Sequence, residues 1–329
     1  MNFSKMMFLI IMIFSSLFTI SSSNWIGMWM GLEINLMAFI PVMASMKNKK
    51  SSQALIIYFF TQSIGSIMML FSILMYSMIN ISPLMLMDYM KLFMTTGLII
   101  KLGMAPFHNW LPEAMSNLNW EKNLLLMTWQ KLAPMYMLSN MYMDKLFMII
   151  IISSAIVGAI GGLNYSSLRK IMAYSSINHM SWMSMMMISQ TQWIKYFIIY
   201  SIILIMLCSI LKYYNILFIN QINYKMKSNL EKITFSILMM SMGGLPPFLG
   251  FLPKWMVIQS MLINNMFLPM MIMIMMTLLT LFYYLRMISA QLMMYSNSLM
   301  WNKKMKMKIM YMYLMINLML PMFSIMSFF

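Results

Sequence analysis

The chain has 329 residues, 62% hydrophobic and 9% charged, with a formal charge of +16 and a mean hydropathy of +0.79. Soluble domains carry roughly 25% charged residues, so composition excludes a soluble fold. The basic residues fall between apolar runs instead of forming a stripe interleaved with base-stacking aromatics, which argues against nucleic-acid binding. Cys208, the single cysteine, leaves no disulfide framework or cysteine metal site within the chain and reads as a small packing residue.

About 20 apolar residues per crossing gives eleven expected helical spans, at 3–20, 25–45, 54–80, 84–114, 123–142, 145–163, 166–189, 193–220, 230–262, 267–293 and 307–327. The expected fold class is an all-α polytopic membrane protein, one membrane domain over 1–329. The first segment, Lys5 followed by Met6 to Ile20 and then Ser21 to Ser23, has the outline of a signal peptide. Many similar segments follow it, so it reads as a retained span. With the N-terminus on side one, that side also receives Lys47, Lys49, Lys50, Lys122, Arg169, Lys170, Lys225, Lys227, Lys232, Lys303, Lys304, Lys306 and Lys308. The other side shows little beyond Lys195 and Lys145, the latter offset by Asp144. The asymmetry puts the N-terminus on the positive side.

Methionine occupies 56 positions where leucine or alanine would ordinarily fill helix interiors. No site chemistry needs so many, and the simpler cause is a translation bias such as an AT-rich organelle genome that reads an extra codon as methionine.

Four ionisable residues interrupt this pattern: Glu33, Lys101, Lys131 and Lys254 sit in or beside apolar stretches. An ion at bilayer depth costs about 2.5 kcal/mol or more and is kept for an ion path, a proton relay or a buried pair. Glu33 lies near a depth of about 12 Å in the second span. Its neighbours Gly31 and Asn35 suit close helix approach and a polar contact. The fourth span is too long and contains Lys101, Pro106 and Pro112; Lys101 is the natural partner of Glu33. The fifth holds Lys131 beside Pro134, where a helix break is expected. The ninth, again too long, contains Gly243, Gly244, Pro246, Pro247, Gly250 and Pro253 ahead of Lys254. Interrupted helices persist in lipid only where the freed backbone is buried in protein or lines a wet cavity, so the breaks mark expected ion sites.

The two long broken spans share the pattern G-x-x-P-F-x-x-x-L-P, from Gly103 to Pro112 and from Gly244 to Pro253. Their separation corresponds to five expected spans, and an odd offset turns the second copy upside down, the inverted repeat of transporters. The repeats would be 1–142 and 143–295, with 296–329 as a leftover C-terminal helix.

Burial favours a neutral lysine and a neighbouring carboxylate favours a charged one, so moving a proton on the carboxylate toggles the lysine. Glu33, Lys101, Lys131 and Lys254 would form a row of such groups with water between them. The plainer alternatives are a static Glu33–Lys101 pair that fixes helix register, and snorkelling of Lys131 and Lys254 to the interface. Asp88 and Lys91, three residues apart near a helix start, read as an interfacial pair. Ser175, Ser176 and His179 share a helical face that can hold a water chain, although a lone satisfied histidine fits as well. His108 reads as a cap on the broken backbone. Neither histidine has partners at metal-ligand spacing, and the chain has no nucleotide loop or nucleophile elbow.

The stretches Lys101-Leu-Gly-Met-Ala-Pro-Phe-His-Asn-Trp-Leu-Pro-Glu113, Trp129-Gln-Lys131-Leu-Ala-Pro134, Gly158-Ala-Ile-Gly-Gly-Leu-Asn164 leading to Leu168-Arg-Lys-Ile-Met-Ala-Tyr-Ser-Ser-Ile177, and Gly243-Gly-Leu-Pro-Pro-Phe-Leu-Gly-Phe-Leu-Pro-Lys254 resemble the NADH dehydrogenase subunit 2 family. These are mitochondrially encoded, antiporter-like subunits of respiratory complex I, and the resemblance covers nearly the whole chain in order. It implies an eleven-helix antiporter-like fold with inverted five-helix repeats, and a proton channel whose charged groups match Glu33, Lys101, Lys131 and Lys254, with His179 nearby. It further implies the mitochondrial inner membrane with the N-terminus on the matrix side. The expected partners are the other complex I subunits, chiefly the neighbouring antiporter-like ones, and the lipid bilayer. FMN, iron-sulfur clusters and ubiquinone would belong to partner subunits, with no cofactor in this chain. A free-standing cation/proton antiporter and a structural assembly subunit are the competing readings.

Overall fold

Methionine, leucine and isoleucine fill the runs between Gly, Pro and Asn clusters, and in a bilayer such a backbone satisfies its own polar groups by coiling into helix. The computed structural model describes residues 3–44, 49–78, 85–141, 145–189, 193–226, 228–293, 305 and 307–319. Among the described residues the regular structure is helical, with one isolated bridge between Ser167 and Phe218. Of the basic residues that orient the chain, Lys47, Lys227, Lys303, Lys304, Lys306 and the side chain of Lys145 lie outside the described residues, as do Asp144 and the side chain of Asp88.

The chain divides into two compact units, Met1–Met143 and Asp144–Phe329. The first contains α1 (Phe3–Ser21), α2 (Trp25–Met43), α3 (Lys49–Met78), α4 (Met85–Leu102), α5 (Trp110–Asn117), α6 (Trp120–Met127) and α7 (Trp129–Ser139). Here α1 packs on α2 and α3 on α4. Gly31 makes the first contact close, since a Cβ there would lie 2.3 Å from Thr19 Cγ2. The second unit contains α8 (Lys145–Gly161), α9 (Leu168–Ile188), α10 (Trp193–Tyr213), α11 (Gln221–Lys225), α12 (Asn229–Gly243), α13 (Phe251–Ile263), α14 (Phe267–Met293) and α15 (Met307–Leu318). Its most buried element is α9, whose residues from Ile171 to Met187 are all shielded.

The outer faces are apolar, the reverse of a soluble protein. Ile56, Phe60, Ile64, Ile67, Phe71 and Leu74 form an exposed stripe on α3, and Leu268, Met271, Met275, Leu278 and Phe282 form another on α14. Three- and four-residue spacing places each set on one helical face, as lipid or an apolar partner requires. Among the described residues, Trp25–Met43, Lys49–Tyr76, Trp193–Tyr213 and Phe267–Ser289 are long and apolar enough to cross a bilayer by themselves; Lys5–Ser21, Leu146–Gly161 and Phe251–Ile263 are apolar but shorter. The expected fourth and ninth spans are each two half-helices, α4 with α5 and α12 with α13, parted at Pro106 and at Pro246–Pro247.

The fifth span corrects the sequence expectation. Pro134 lies inside α7 and does not break it. The interruption falls earlier, at Thr128, which leaves helical geometry (φ −113°, ψ −79°) between α6 and α7. The Thr128 hydroxyl donates to the Leu124 carbonyl at 2.8 Å. The Thr128 N–H donates to the same carbonyl at 3.0 Å, so one acceptor carries both bonds at the end of α6, and back-bonding of this kind often bends a helix.

Candidate functional site

The first break is built on a glycine crossing. A Cβ on Gly97 of α4 would stand 2.8 Å from the Gly65 carbonyl of α3, and one on Gly65 would stand 2.9 Å from the Gly97 carbonyl and 3.0 Å from Lys101 Cγ. Absent side chains thus bring the two backbones together and leave room for the lysine stem one turn later. Lys101 lies in the last turn of α4 and is 6% exposed. Its Nζ is 3.5 Å from Glu33 Oε1 of α2, a pair in which the Glu33 side chain keeps 26% exposure. Three of the carbonyls freed where α4 ends find donors. Gly103, at φ +70°, turns its N–H onto Ile99 (2.9 Å), Trp110 Nε1 donates to Ile100 (3.1 Å), and Gln62 Nε2 donates to Lys101 (3.1 Å). His108 sits at the break with Nδ1 3.2 Å from the Pro106 carbonyl.

Lys131, only 2% exposed, enters the same region from the third position of α7. Lys101 and Lys131 line one cavity of about 10 Å³ with Tyr58, Gln62, Trp110 and Gln130, close to the space one water needs. Tyr58 Oη donates to Gln130 Oε1 at 3.1 Å, and Gln130 Nε2 donates to Asn35 Oδ1 at 3.0 Å. A ring of neutral polar groups therefore surrounds the two lysines. Sequence reasoning missed Tyr58, Gln62 and Gln130. The available signal was an amide inside an apolar span, which needs a buried partner just as an ion does.

In the second unit, α12 ends on Gly244 in the left-handed region (φ +79°), where its N–H closes onto Met240 at 3.0 Å. Lys254, in the first turn of α13 and 5% exposed, folds back across the break and donates from Nζ to the Gly243 carbonyl at 2.6 Å. A Cβ on Gly244 would lie 2.7 Å from Lys254 Cδ, so glycine here serves both the backbone turn and the lysine. The backbone of α15 joins the break through Leu249 N–H to the Asn317 carbonyl at 3.1 Å. Neither Lys131 nor Lys254 follows the snorkelling alternative, because both ammonium stems are enclosed by helices.

His179 sits midway along α9, 7% exposed, with Nδ1 2.9 Å from Tyr196 Oη and its ring 4.8 Å from that of Tyr200. Ser175 and Ser176 bond back to the carbonyls of Met172 (2.9 Å) and Ala173 (2.7 Å). The structure thus brings Glu33, Lys101 and Lys131 together in the first unit. Lys254 and His179 lie in the second unit on α13 and α9, helices that pack on each other. Among the described residues no three His, Cys, Asp or Glu side chains cluster as a metal site.

Residues 22–280 match the family model described as NADH:quinone oxidoreductase/Mrp antiporter, TM. The chain is 43% identical over 287 residues to NADH-ubiquinone oxidoreductase chain 2 of Anopheles gambiae, covering 86% of this chain and 84% of that one. It is 42% identical to the same-named protein of Locusta migratoria, covering 93% and 90%. Among solved structures it is similar to a chain of respiratory complex I from Thermus thermophilus (TM-score 0.85, 17% identity, 96% of this chain and 76% of that chain). It also matches a chain of the membrane-bound sulfane sulfur reductase, an archaeal respiratory membrane complex (TM-score 0.81, 14% identity, 97% and 72%).

Proposed function

The chain belongs to the NADH-ubiquinone oxidoreductase chain 2 family, a membrane subunit of the proton-translocating NADH:ubiquinone oxidoreductase, and on that premise we propose that Glu33, Lys101 and Lys131 in its first unit and Lys254 with His179 in its second carry protons driven by redox energy from partner subunits. The observation that carries this reading is the Glu33–Lys101 pair at the first break, 3.5 Å apart, with Lys131 on the same cavity. Two lysines around one small polar space repel when both are charged, so a carboxylate beside one of them decides how many protons the group holds. Protonating Glu33 removes that support from Lys101, and the proton released has Lys131 and a water-sized space next to it.

The finer architecture belongs to the same reading: eleven spans, an inverted repeat over 1–142 and 143–295, and a C-terminal helix over 296–329. Support comes from the division near residue 143 and from the matched breaks. Gly103 and Gly244 both take positive φ, and Pro112 and Pro253 both occupy the third position of the helix that follows. The location is the mitochondrial inner membrane with the N-terminus on the matrix side. The partners are neighbouring antiporter-like subunits, and FMN, iron-sulfur clusters and ubiquinone stay with other subunits.

The test is the assembled enzyme in liposomes with Lys101→Ala or Glu33→Ala. Each is expected to assemble, oxidise NADH and pump fewer protons per electron. Intact coupling in both overturns the relay. Preserved pumping in the neutral pair Glu33→Gln with Lys101→Met would establish the static register pair instead.

A further inference from the structure

The second unit contains a buried polar row that the lysine chemistry does not use. Tyr196 and Tyr200 of α10 and Tyr283 and Tyr284 of α14 are each 2% exposed or less. Tyr196 Oη meets His179 Nδ1 at 2.9 Å. The Tyr200 ring lies 4.8 Å from the imidazole and its hydroxyl faces Ser176. The Tyr284 hydroxyl faces Ser175, and the rings of Tyr284 and Tyr283 are 4.7 Å apart. The hydroxyls of Tyr200, Tyr283 and Tyr284 are fully buried yet make no hydrogen bond of good geometry to another protein group among the described residues. A buried hydroxyl whose hydrogen bonds are poorly formed is destabilising, and phenylalanine would fill the same space without that penalty. Three such groups, two of them beside Ser175 and Ser176 of α9, are therefore evidence of a polar purpose. Ser175 and Ser176 already donate to their own helix, so their remaining lone pairs can accept.

The row has an end. A Cβ on Gly162 would lie 2.8 Å from Tyr283 Cε1, so Tyr283 is pressed against the turn between α8 and α9. Arg286, one turn further along α14, fixes that turn by donating from Nη1 to the Leu163 carbonyl (2.5 Å) and from Nη2 to the Tyr165 carbonyl (2.7 Å). Asn164 in the same turn is exposed. The row thus runs from the middle of α9 to the Tyr283 ring packed against the α8–α9 turn, in which Asn164 is exposed.

We propose that Tyr200, Tyr284 and Tyr283, with Ser175 and Ser176, form a hydroxyl path that passes protons between His179 and the α8–α9 turn. The proposal rests on the proton-carrying function above. A proton reaching one hydroxyl oxygen is matched by release of that hydroxyl's own proton to the next oxygen. No residue in the row keeps a charge, and one proton leaves for each that enters.

The test uses the assembled enzyme in liposomes with Tyr200→Phe, Tyr284→Phe and, as a control on the exposed face of α15, Tyr311→Phe. Lys101→Met is measured alongside. Each path variant is expected to lose roughly two- to tenfold in coupled turnover, the range set by one net hydrogen-bonded step, and to show a larger solvent deuterium isotope effect. Electron transfer from NADH to a water-soluble acceptor and the Tyr311→Phe control stay unchanged. Wild-type pumping and isotope effect in both path variants overturn the proposal, and a gain in thermal stability with that result would mark the hydroxyls as packing defects. Should a tyrosine variant not assemble, Ser175→Ala removes an acceptor at almost constant volume and decides by the same two readouts. If Lys101→Met is impaired while the path variants are not, only the tyrosine path falls; if Lys101→Met also pumps normally, the proposed function falls with it.

Discussion

The two broken helices solve the same problem from opposite sides of the break. In the first, Lys101 precedes the interruption, in the last turn of α4, and is paired with the Glu33 carboxylate at 3.5 Å. In the second, Lys254 follows the interruption, in the first turn of α13, and reaches back to the Gly243 carbonyl at 2.6 Å. Both place a cationic side chain where a half-helix ends and carbonyls are left over, the end that the helix dipole makes negative. The compensation differs. A carboxylate can take up a proton and thereby change its partner's charge, whereas a carbonyl cannot. In the proposed relay the charge of the first break is therefore set by a partner that can itself be protonated, whereas Lys254 at the second break exchanges its proton beside a fixed carbonyl.

The largest expected effect tests that distinction. Lys101→Met should reduce coupled turnover about tenfold or more, the scale of losing a proton-transferring group. It should also destabilise the subunit by about 2 kcal/mol, below the value for a fully buried pair because Glu33 is partly exposed. Adding Glu33→Gln should restore the stability and leave pumping impaired. Lys254→Met strands only a carbonyl and should cost about 1 kcal/mol with no rescue from any acidic partner. The checks are proton-to-electron ratios in liposomes and the temperature at which the solubilised complex falls apart. Rescue of pumping by Glu33→Gln would remove the distinction between the breaks.

Smaller effects separate the turn from the lysine. Gly103→Ala and Gly244→Ala both force a Cβ into positive φ, at about 1–2 kcal/mol. Only Gly244→Ala also meets a lysine stem, with Cδ at 2.7 Å and Nζ at 2.9 Å; Gly103→Ala meets Leu111 and Trp110. Gly244→Ala should therefore be the worse of the two, and in a Lys254→Ala background its cost should fall to that of Gly103→Ala. Thermal midpoints of the four variants complete the cycle, and an unchanged cost in that background would show the lysine to be incidental to the turn.

The sequence carried the parts that depend on strong local signals. Gly, Pro and the lysines mark both long broken spans, because such residues stand out in so apolar a chain. Glu33 and Lys101 were pairable as a carboxylate inside one span and a lysine at the break of another. Pro134 misled, since it lies inside α7, while the interruption falls at Thr128, an unremarked residue whose hydroxyl and N–H both donate to the Leu124 carbonyl. The neutral ring of Tyr58, Gln62 and Gln130 was invisible for another reason: these residues come from α3 and from α7 at its start, and only packing shows that their amides and hydroxyl converge. The tyrosines around His179 are separated by more than 80 residues of chain between α10 and α14 and carry no periodicity that distinguishes a polar row from ordinary aromatic packing.

That neutral ring, present at the first break, supplies the finest test of its switching, with Tyr58→Phe the mildest change. Tyr58 donates to Gln130 at 3.1 Å, and Gln130 passes the chain on to Asn35 at 3.0 Å, so the ring fixes the floor of the cavity beside Lys101 and Lys131. Tyr58→Phe removes one donor and leaves the Gln130–Asn35 bond, and should cost about 1 kcal/mol with coupling nearly intact. Gln130→Leu removes both bonds, leaves the buried Asn35 carbonyl oxygen without that donor, and closes the cavity with methyl groups. It should cost about 2 kcal/mol and slow proton transfer, because an apolar wall next to Lys131 denies a proton its landing place. Equal coupling in Gln130→Leu and wild type would mean that Lys101 and Lys131 exchange protons without this cavity, and the switching assigned to the first break would then rest on Glu33 alone.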